Sequence, residues 1–344
     1  MALITRRAFG LGALAGSVAA GSGVAALAPA FAADKITVGI LPFTSHSPDI
    51  IAQGRGYFAK HGIEASFHTF LAAQPMAVAI ASGDVDFGIT AITAGLISLA
   101  DKGAVKVIGG ALEEAPGVEG EKILASKKAY DAGLTTPAKL KGHSYGITTV
   151  GSSFHYMAHK IAQKEGFPDS DIHLKTLQKV PTIIAALKSG QIDAWSIVPN
   201  IADALSKGPH VVEIGKIADY IPHYQVTTVF TSTANVEKKP DLVKRFLEAY
   251  SMGVADYNKA LVEKKMGKDE LDQIVKMIHK YVYASMPLAK AGPRIRAAAM
   301  RISPNAELNL ESVKDQLEWF KAQKMVPADV TMEKLIDTRF VKTK

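Results

Sequence analysis

Apolar and polar positions along this chain switch repeatedly between two rhythms. Short apolar runs cover Ile36–Leu41, Glu64–Phe70, Val85–Ile89 and Val105–Ile108. Between them lie segments of helical spacing: one from Pro48 to about Lys60 with His61-Gly62 as its stop, one over Gln74–Ser82, and one over Thr93–Lys102 ended by Gly103. The runs predict strands and the helical spacing predicts helices, with proline as a starter and glycine as a terminator. A second series follows the Pro/Gly-containing stretch Glu113–Gly120. It predicts strands at Ile123–Ala125, Ser144–Thr148, His173–Leu177 and Ile192–Val198, and helices from Gly151-Ser152-Ser153 to about Glu165 and near Thr182–Lys188. Thr136-Pro137 reads as an N-cap followed by a first-turn proline. Tyr224–Thr231 is a Val/Thr-rich return strand. From Pro240 onward the pattern is helical, over Asp241–Lys264, Glu270–Tyr283 and Leu310–Gln323. Strands alternating with helices of this length indicate parallel βαβ construction.

One phrase occurs in both series. Ala79-Ile80-Ala81-Ser82-Gly83-Asp84-Val85-Asp86 is echoed by Ala186-Leu187-Lys188-Ser189-Gly190-Gln191-Ile192-Asp193. Each reads as a helix end, a glycine in the left-handed cap position, and an apolar-Asp entry into a strand. Two similar α/β units predict two lobes facing each other across a cleft. Residues 34–116 with 229–344 are expected to form one discontinuous lobe and 117–228 the other, with hinges near Glu113–Gly120 and Tyr224–Thr228.

The first residues bear on compartment. Thr5-Arg6-Arg7-Ala8-Phe9 is a twin-arginine start, although Gly10 stands where leucine is usual, which keeps the general secretory route open. An uncharged Ala/Gly-rich stretch follows and closes with Ala30-Phe31-Ala32, a small-x-small cleavage pattern. Residues 1–33 are therefore expected to be a cleaved export signal, cut near Ala32/Ala33, with the mature protein in the periplasm. The chain has no cysteine, which removes structural disulfides, thiolate metal sites, a cysteine nucleophile and lipidation through an N-terminal cysteine. The net charge of +7 is spread among interleaved acids and bases rather than clustered. No nucleic-acid partner is expected, while an anionic small molecule suits the balance.

Ligands in open α/β sheets lie at the carboxyl ends of strands, where helices begin. Four such places carry polar residues: Thr44-Ser45-His46-Ser47, Thr90-Ala91-Ile92-Thr93, Thr148-Thr149-Val150-Gly151-Ser152-Ser153, and Trp195 to Asn200; the candidate contacts among them are Thr44, Ser45, His46, Thr90, Ala91, Thr149, Gly151, Ser152, Ser153, Trp195 and Pro199. Thr227 on the return strand completes the candidates. At Gly151-Ser152-Ser153 the glycine permits close backbone approach, and two hydroxyls join the free amides of a helix start to make an anion site. Plain N-capping is the competing reading there and at Thr44–Ser47. Trp195 fits a core anchor as well as a pocket wall, and His46 fits a surface or capping residue as well as a contact. His155 and His159 are one helical turn apart, but no third ligand is evident, so neither a metal nor a cofactor is expected. No nucleophile elbow or phosphate loop occurs.

These features together resemble the periplasmic solute-binding proteins of the nitrate/sulfonate/taurine ABC-importer family. The likeness is carried by Val38-Gly39, Gly56-Tyr57-Phe58-Ala59-Lys60-His61-Gly62-Ile63, the Ser82-Gly83-x-x-Asp86 phrase, Leu140-Lys141-Gly142, Gly151-Ser152-Ser153, Gly190 to Trp195, and Leu335-Ile336-Asp337-Thr338-Arg339-Phe340. The resemblance implies an α/β, two-lobed periplasmic-binding-protein fold of type II, each lobe a mixed sheet flanked by helices and joined by a two-strand hinge. It implies a monomer that captures a small organic anion, such as a sulfonate, carboxylate or nitrate-like solute, by lobe closure. The partners would be a membrane permease and its ATPase. Relatives often carry Trp-Asp-Pro after the second strand. Here the stretch is Val198-Pro199-Asn200, so the acid that would hold an amine is missing and an amino-sulfonate is disfavoured. A heteroaromatic solute such as a thiamine-pyrimidine precursor, or a cysteine-independent enzyme on the same fold, stands as the alternative.

Overall fold

The computed structural model describes residues 33–343. The leader expected over residues 1–33 falls, but for Ala33, outside the described residues. Twelve strands are described: β1 (Asp34–Ile40), β2 (Ile63–Thr69), β3 (Phe87–Ala91), β4 (Val105–Gly110), β5 (Leu112–Glu113), β6 (Lys122–Ser126), β7 (Ser144–Ile147), β8 (His173–Thr176), β9 (Ala194–Ile197), β10 (Val211–Lys216), β11 (Thr227–Ser232) and β12 (Arg301–Ile302). They form two five-stranded sheets of order β2-β1-β3-β11-β4 and β10-β6-β9-β7-β8, with β5 and β12 paired separately. In each sheet a parallel trio (β2-β1-β3, β8-β7-β9) meets one antiparallel strand, β11 in the first and β6 in the second. In each case that strand follows a crossing from the other sheet, so the two lobes share one topology.

The repeated phrase explains part of that likeness. Gly83 (φ 85°) ends the helix Ala73–Ser82, and Gly190 (φ 70°) ends the helix Val180–Ser189. The aspartate three residues later then does the same work in each lobe. An Asp86 oxygen accepts from the Thr37 amide at 2.8 Å, and an Asp193 oxygen accepts from the Ser144 amide at 2.8 Å and the Ser144 hydroxyl at 2.7 Å. Each carboxylate ties the entry of its own strand to the neighbouring parallel strand, β1 or β7.

The chain crosses between sheets twice. The crossing segments run side by side: Val226 N–H donates to Leu112 O, Glu114 N–H to Tyr224 O, both at 2.9 Å, and Glu113 bridges Gln225 antiparallel. This is the two-strand hinge of the expected fold. The helix Leu310–Ala322 braces it, with Ser312 Oγ accepting from Gln225 N–H at 2.9 Å and Gln316 donating to Gln225 O at 3.1 Å.

Several elements depart from expectation. The helix begun at Pro48 does not run to Lys60: it spans Ser47–Gly54, and Gly56 at φ 71° turns the chain into a separate short helix, Tyr57–Lys60. The return strand begins at Thr227 rather than Tyr224, because Tyr224 and Gln225 are spent on the hinge pairing. The helix from Pro240 is α-helical to Tyr257 and then widens into a π-turn, Asn258–Val262. Helices Lys127–Asp131, Pro199–Ser206 and Leu288–Arg296, and strand β10, had no clear signal in the pattern. Pro293 inside the Leu288–Arg296 helix hid it, since proline removes an interior hydrogen bond. Among the described residues, no helix is long and apolar enough to cross a membrane.

Candidate functional site

The carboxyl ends of β1, β3 and β9, the turn after β7 and the hinge strands converge on one enclosed space between the lobes. Its walls combine apolar side chains, among them Leu41, Phe43, Phe154, Val180 and Val226, with the polar residues Ser45, His46, Thr90, Glu121, Thr148, Ser152, Ser153 and Thr227. The atom-free volume, mouth included, is about 560 Å³. Neither lysine nor arginine is among the residues lining it.

Seven expected site residues meet at this space: Ser45, His46, Thr90, Ala91, Ser152, Ser153 and Thr227. The other five stand around it. Thr44 is buried one residue from the wall, and its hydroxyl accepts from the Asn200 amide at 3.1 Å. Thr149 is half-buried in the turn before the helix, where its carbonyl accepts from Ser152 N–H at 3.1 Å. Gly151 (φ 75°) shapes that turn and faces the opposite lobe. Trp195 is a fully buried core residue behind the wall, its ring edge-on to Phe154 at 5.5 Å. Pro199 starts the helix Pro199–Ser206.

The turn after β7 has the geometry of an acceptor site for negative charge. The helix Ser153–Glu165 begins at the cavity; the His155 and Tyr156 amides donate to Ser152 O at 3.0 and 3.1 Å, which leaves the Ser153 and Phe154 amides without a backbone partner. Ser152, in extended conformation at the N-cap, makes no capping bond with its side chain; its hydroxyl oxygen is buried and unpartnered. The capping reading of Ser152 therefore does not describe this geometry. The turn after β3 differs, since Thr93 caps the helix Ala94–Asp101 by accepting from Leu96 N–H at 3.0 Å. His46 is buried on the cavity wall, and burial lowers its pKa to about 3, so its ring is neutral at physiological pH.

Glu121 was not foreseen. It enters from the start of β6, is 2 % exposed, lines the cavity, and one of its carboxyl oxygens has no hydrogen-bond partner. Burial, with Glu114 beside it, pushes its carboxyl well above the usual range. Glu114 itself, which accepts from the Glu121 amide at 2.7 Å, is raised to about 7 by burial. The sequence signal was the acid-rich crossover Glu113-Glu114 to Glu119-Gly120-Glu121, which reads as a hinge by its glycines and proline.

The lobes meet around the cavity. Ala94 N–H donates to Gly151 O at 2.9 Å, and Val180 N–H to Leu71 O at 3.3 Å. The Asn200 amide joins Thr44 and the Tyr283 hydroxyl, each at 3.1 Å. This is a closed arrangement. The two histidines of the Ser153–Glu165 helix serve packing: His155 Nδ1 accepts from Gly151 N–H at 3.2 Å, His159 pairs with Asp169 at 2.7 Å, and both rings lie against Trp319.

Two pseudo-symmetric α/β lobes, each with a mixed sheet, a paired two-strand hinge and a cavity between them define a periplasmic-binding-protein fold. A family model described as NMT1/THI5 like matches residues 43–260. The chain belongs to that NMT1/THI5-like family. The alkanesulfonate-binding protein SsuA from Xanthomonas axonopodis pv. citri, bound to MOPS, is similar in fold, with a TM-score of 0.67 at 18% identity over 90% of this chain and 98% of that one. The periplasmic nitrate-binding protein NrtA from Synechocystis PCC 6803 gives a TM-score of 0.68 at 11% identity, covering 88% and 84% of the two chains. In sequence, a protein of Brucella abortus named only as a binding protein is 26% identical over 199 residues, 57% of this chain. The match spans 58% of that relative's length.

Proposed function

We propose that this protein is the exported solute-binding component of an ABC importer, and that it captures a small organic anion by closing its lobes. The observation that carries this reading is the unpartnered Ser152 hydroxyl beside the free amides of the Ser153–Glu165 helix, both at a cavity shared by the two lobes. Amides and hydroxyls fixed in an enclosed space stabilise a negative head without a counter-cation, because helix-start dipoles replace its hydration. The apolar walls favour a solute with an organic body over bare nitrate. A second groove adjoins the cavity, shares Leu41, Phe43 and Val180 with it, and carries Lys188 and Arg294. Cations at the mouth would draw anions inward. The named neighbours support the class: one binds alkanesulfonate and one nitrate.

In this proposal, residues 34–116 with 229–344 move against 117–228 about the paired crossing segments, and closure expels water and strengthens each polar contact. The leader at residues 1–33 sends the chain to the periplasm, where it serves a permease and ATPase as a monomer. Binding, not catalysis, is its task; the polar side chains of the cavity wall are hydroxyls, one acid and the neutral His46 ring, and the sequence has no cysteine for a thiolate nucleophile. The test is native mass spectrometry of protein recovered from a periplasmic extract, followed by calorimetry with sulfonates, carboxylates and nitrate. A bound organic acid, released by denaturation, is the expected result. A cationic passenger, or binding by no anion in the panel, would overturn the reading.

A further inference from the structure

The cavity floor bears a feature that an anion site does not require. Glu121 brings a carboxyl group into a space that already has helix amides and hydroxyls for a negative head. One oxygen of Glu121 is buried and unpartnered, and no lysine or arginine lines the space to neutralise it. An ionised carboxylate there would repel an anion across a cavity of low polarity. A neutral carboxylic acid does the opposite, since its O–H becomes a donor, and donors to charged acceptors form the stronger hydrogen bonds.

We propose that Glu121 is a specificity-determining residue that meets the solute as a neutral carboxylic acid and donates its proton in a hydrogen bond to an oxygen of the solute's anionic group. This deepens the anion reading and rests on it. The surroundings are consistent from every side. Burial and the neighbouring Glu114 both disfavour charge on Glu121. The Tyr145 and Tyr224 hydroxyls share its surroundings and are held neutral, their own pKa values raised by burial with Glu121 adding to the effect. His46, on the same cavity wall, is neutral. The adjacent cation, Lys122, is turned to Glu119 at 2.8 Å and Glu213 at 3.7 Å and so is spent elsewhere. A bound anion raises the cost of ionising Glu121 further. Capture is therefore linked to a proton held on Glu121, and affinity falls on the alkaline side, where the ligand-free protein loses that proton.

The test is calorimetric titration of pentanesulfonate and of hexanoate into the full-length mature protein and its Glu121→Gln and Glu121→Ala variants, from pH 6 to pH 9.5, with each variant's melting curve recorded. For the wild type, the dissociation constant is expected to rise by up to about tenfold per pH unit once Glu121 ionises. Glu121→Gln keeps a donor and should bind within about threefold of the wild type at pH 6, with a much shallower profile to which only the neighbouring Glu114, raised to about 7, contributes. Glu121→Ala leaves the solute oxygen without that donor and should weaken binding roughly 10-fold or more at pH 6, a deficit that closes toward pH 9.5 as the wild-type Glu121 loses its own donor. A wild-type profile as shallow as that of Glu121→Gln, or affinity that grows with pH, would overturn the proposal while leaving the anion site standing. Binding of neither acid, with propylamine or another amine bound instead, would overturn the anion reading and this inference with it.

Discussion

Gly151 offers a sharp test of lobe closure. Its φ of 75° lies in the left-handed region, and a Cβ placed on it would come within 2.6 Å of the Ala94 Cβ on the opposite lobe and 3.4 Å of Met325 Sδ. Its carbonyl also accepts the Ala94 amide at 2.9 Å, so the collision falls on a bond that joins the lobes. Gly151→Ala therefore carries two costs. The backbone cost of a non-glycine residue at positive φ, about 1–2 kcal/mol, is paid in open and closed forms alike. The steric cost belongs to the closed form only: about 1–3 kcal/mol for the overpacked contact, plus about 0.5–1.5 kcal/mol for the displaced hydrogen bond. Taken together these shift the open-closed balance by about 1.5–4.5 kcal/mol, or roughly 10- to 2000-fold in apparent affinity. Gly166→Ala is the control, because Gly166 has φ 76° and no heavy atom within 4 Å of the added carbon. The assays are calorimetry with the solute recovered from the protein and small-angle X-ray scattering with and without it. Gly151→Ala should bind weakly and stay expanded with solute present, while Gly166→Ala should lose melting temperature but bind and compact normally. If Gly151→Ala bound within about threefold of wild type and compacted fully, the seam at Ala94 would not be part of capture.

Four further outcomes follow from the same geometry. Ser152→Ala with Ser153→Ala should weaken anion binding by about 1.5–3 kcal/mol in calorimetry, as expected for hydrogen bonds to a charged group, with little change in melting temperature. Asn200→Ala removes the amide that joins Thr44 and Tyr283 across the lobes; it should raise the solute off-rate in stopped-flow, and an unchanged rate would show that the contact does not hold the closed form. Asp86→Ala and Asp193→Ala each orphan a strand amide and should each cost about 1–3 kcal/mol in urea unfolding. The Asp193 loss should be the larger, because Asp193 also accepts from the Ser144 hydroxyl at 2.7 Å and lies 3.5 Å from His143. His46 has a folded pKa lowered to about 3, so below its unfolded pKa near 6.5 the unfolded chain binds the extra proton and stability from this group is lost as pH falls. The loss is about 1.4 kcal/mol per pH unit. Asp49 and Glu121, whose carboxyls burial raises, act in the opposite sense, so the His46 contribution is read as the difference between wild type and His46→Gln across pH 4.5–7.

Much of the architecture is written locally. The Ser-Gly-x-x-Asp phrase encodes a helix stop, a left-handed cap and a strand-entry anchor within a few residues, and the structure repeats it in both sheets with the same contacts. Gly151-Ser152-Ser153 is equally local, because a glycine at positive φ followed by a helix start fixes where amides point. What sequence could not supply is what arrives from elsewhere. Glu121 reaches the cavity from a crossover, through a hinge pairing between Leu112–Glu114 and Tyr224–Val226 that no short-range pattern reveals. Pattern alone does not separate core from wall at Trp195, because every residue of β9 is buried, and a strand buried on both faces gives no alternation to read. The cross-lobe role of Asn200 is invisible in Val198-Pro199-Asn200, because its partners Thr44 and Tyr283 lie far away in the chain.

The central claim is tested most directly by a crystal structure of the protein carrying the solute it retains through purification. The account predicts electron density for a small organic acid between the lobes, its anionic oxygens within hydrogen-bond distance of the Ser152 hydroxyl, the first amides of the Ser153–Glu165 helix and the Glu121 carboxyl. Lobes closed on an empty cavity, with the solute bound elsewhere on the molecule, would contradict it.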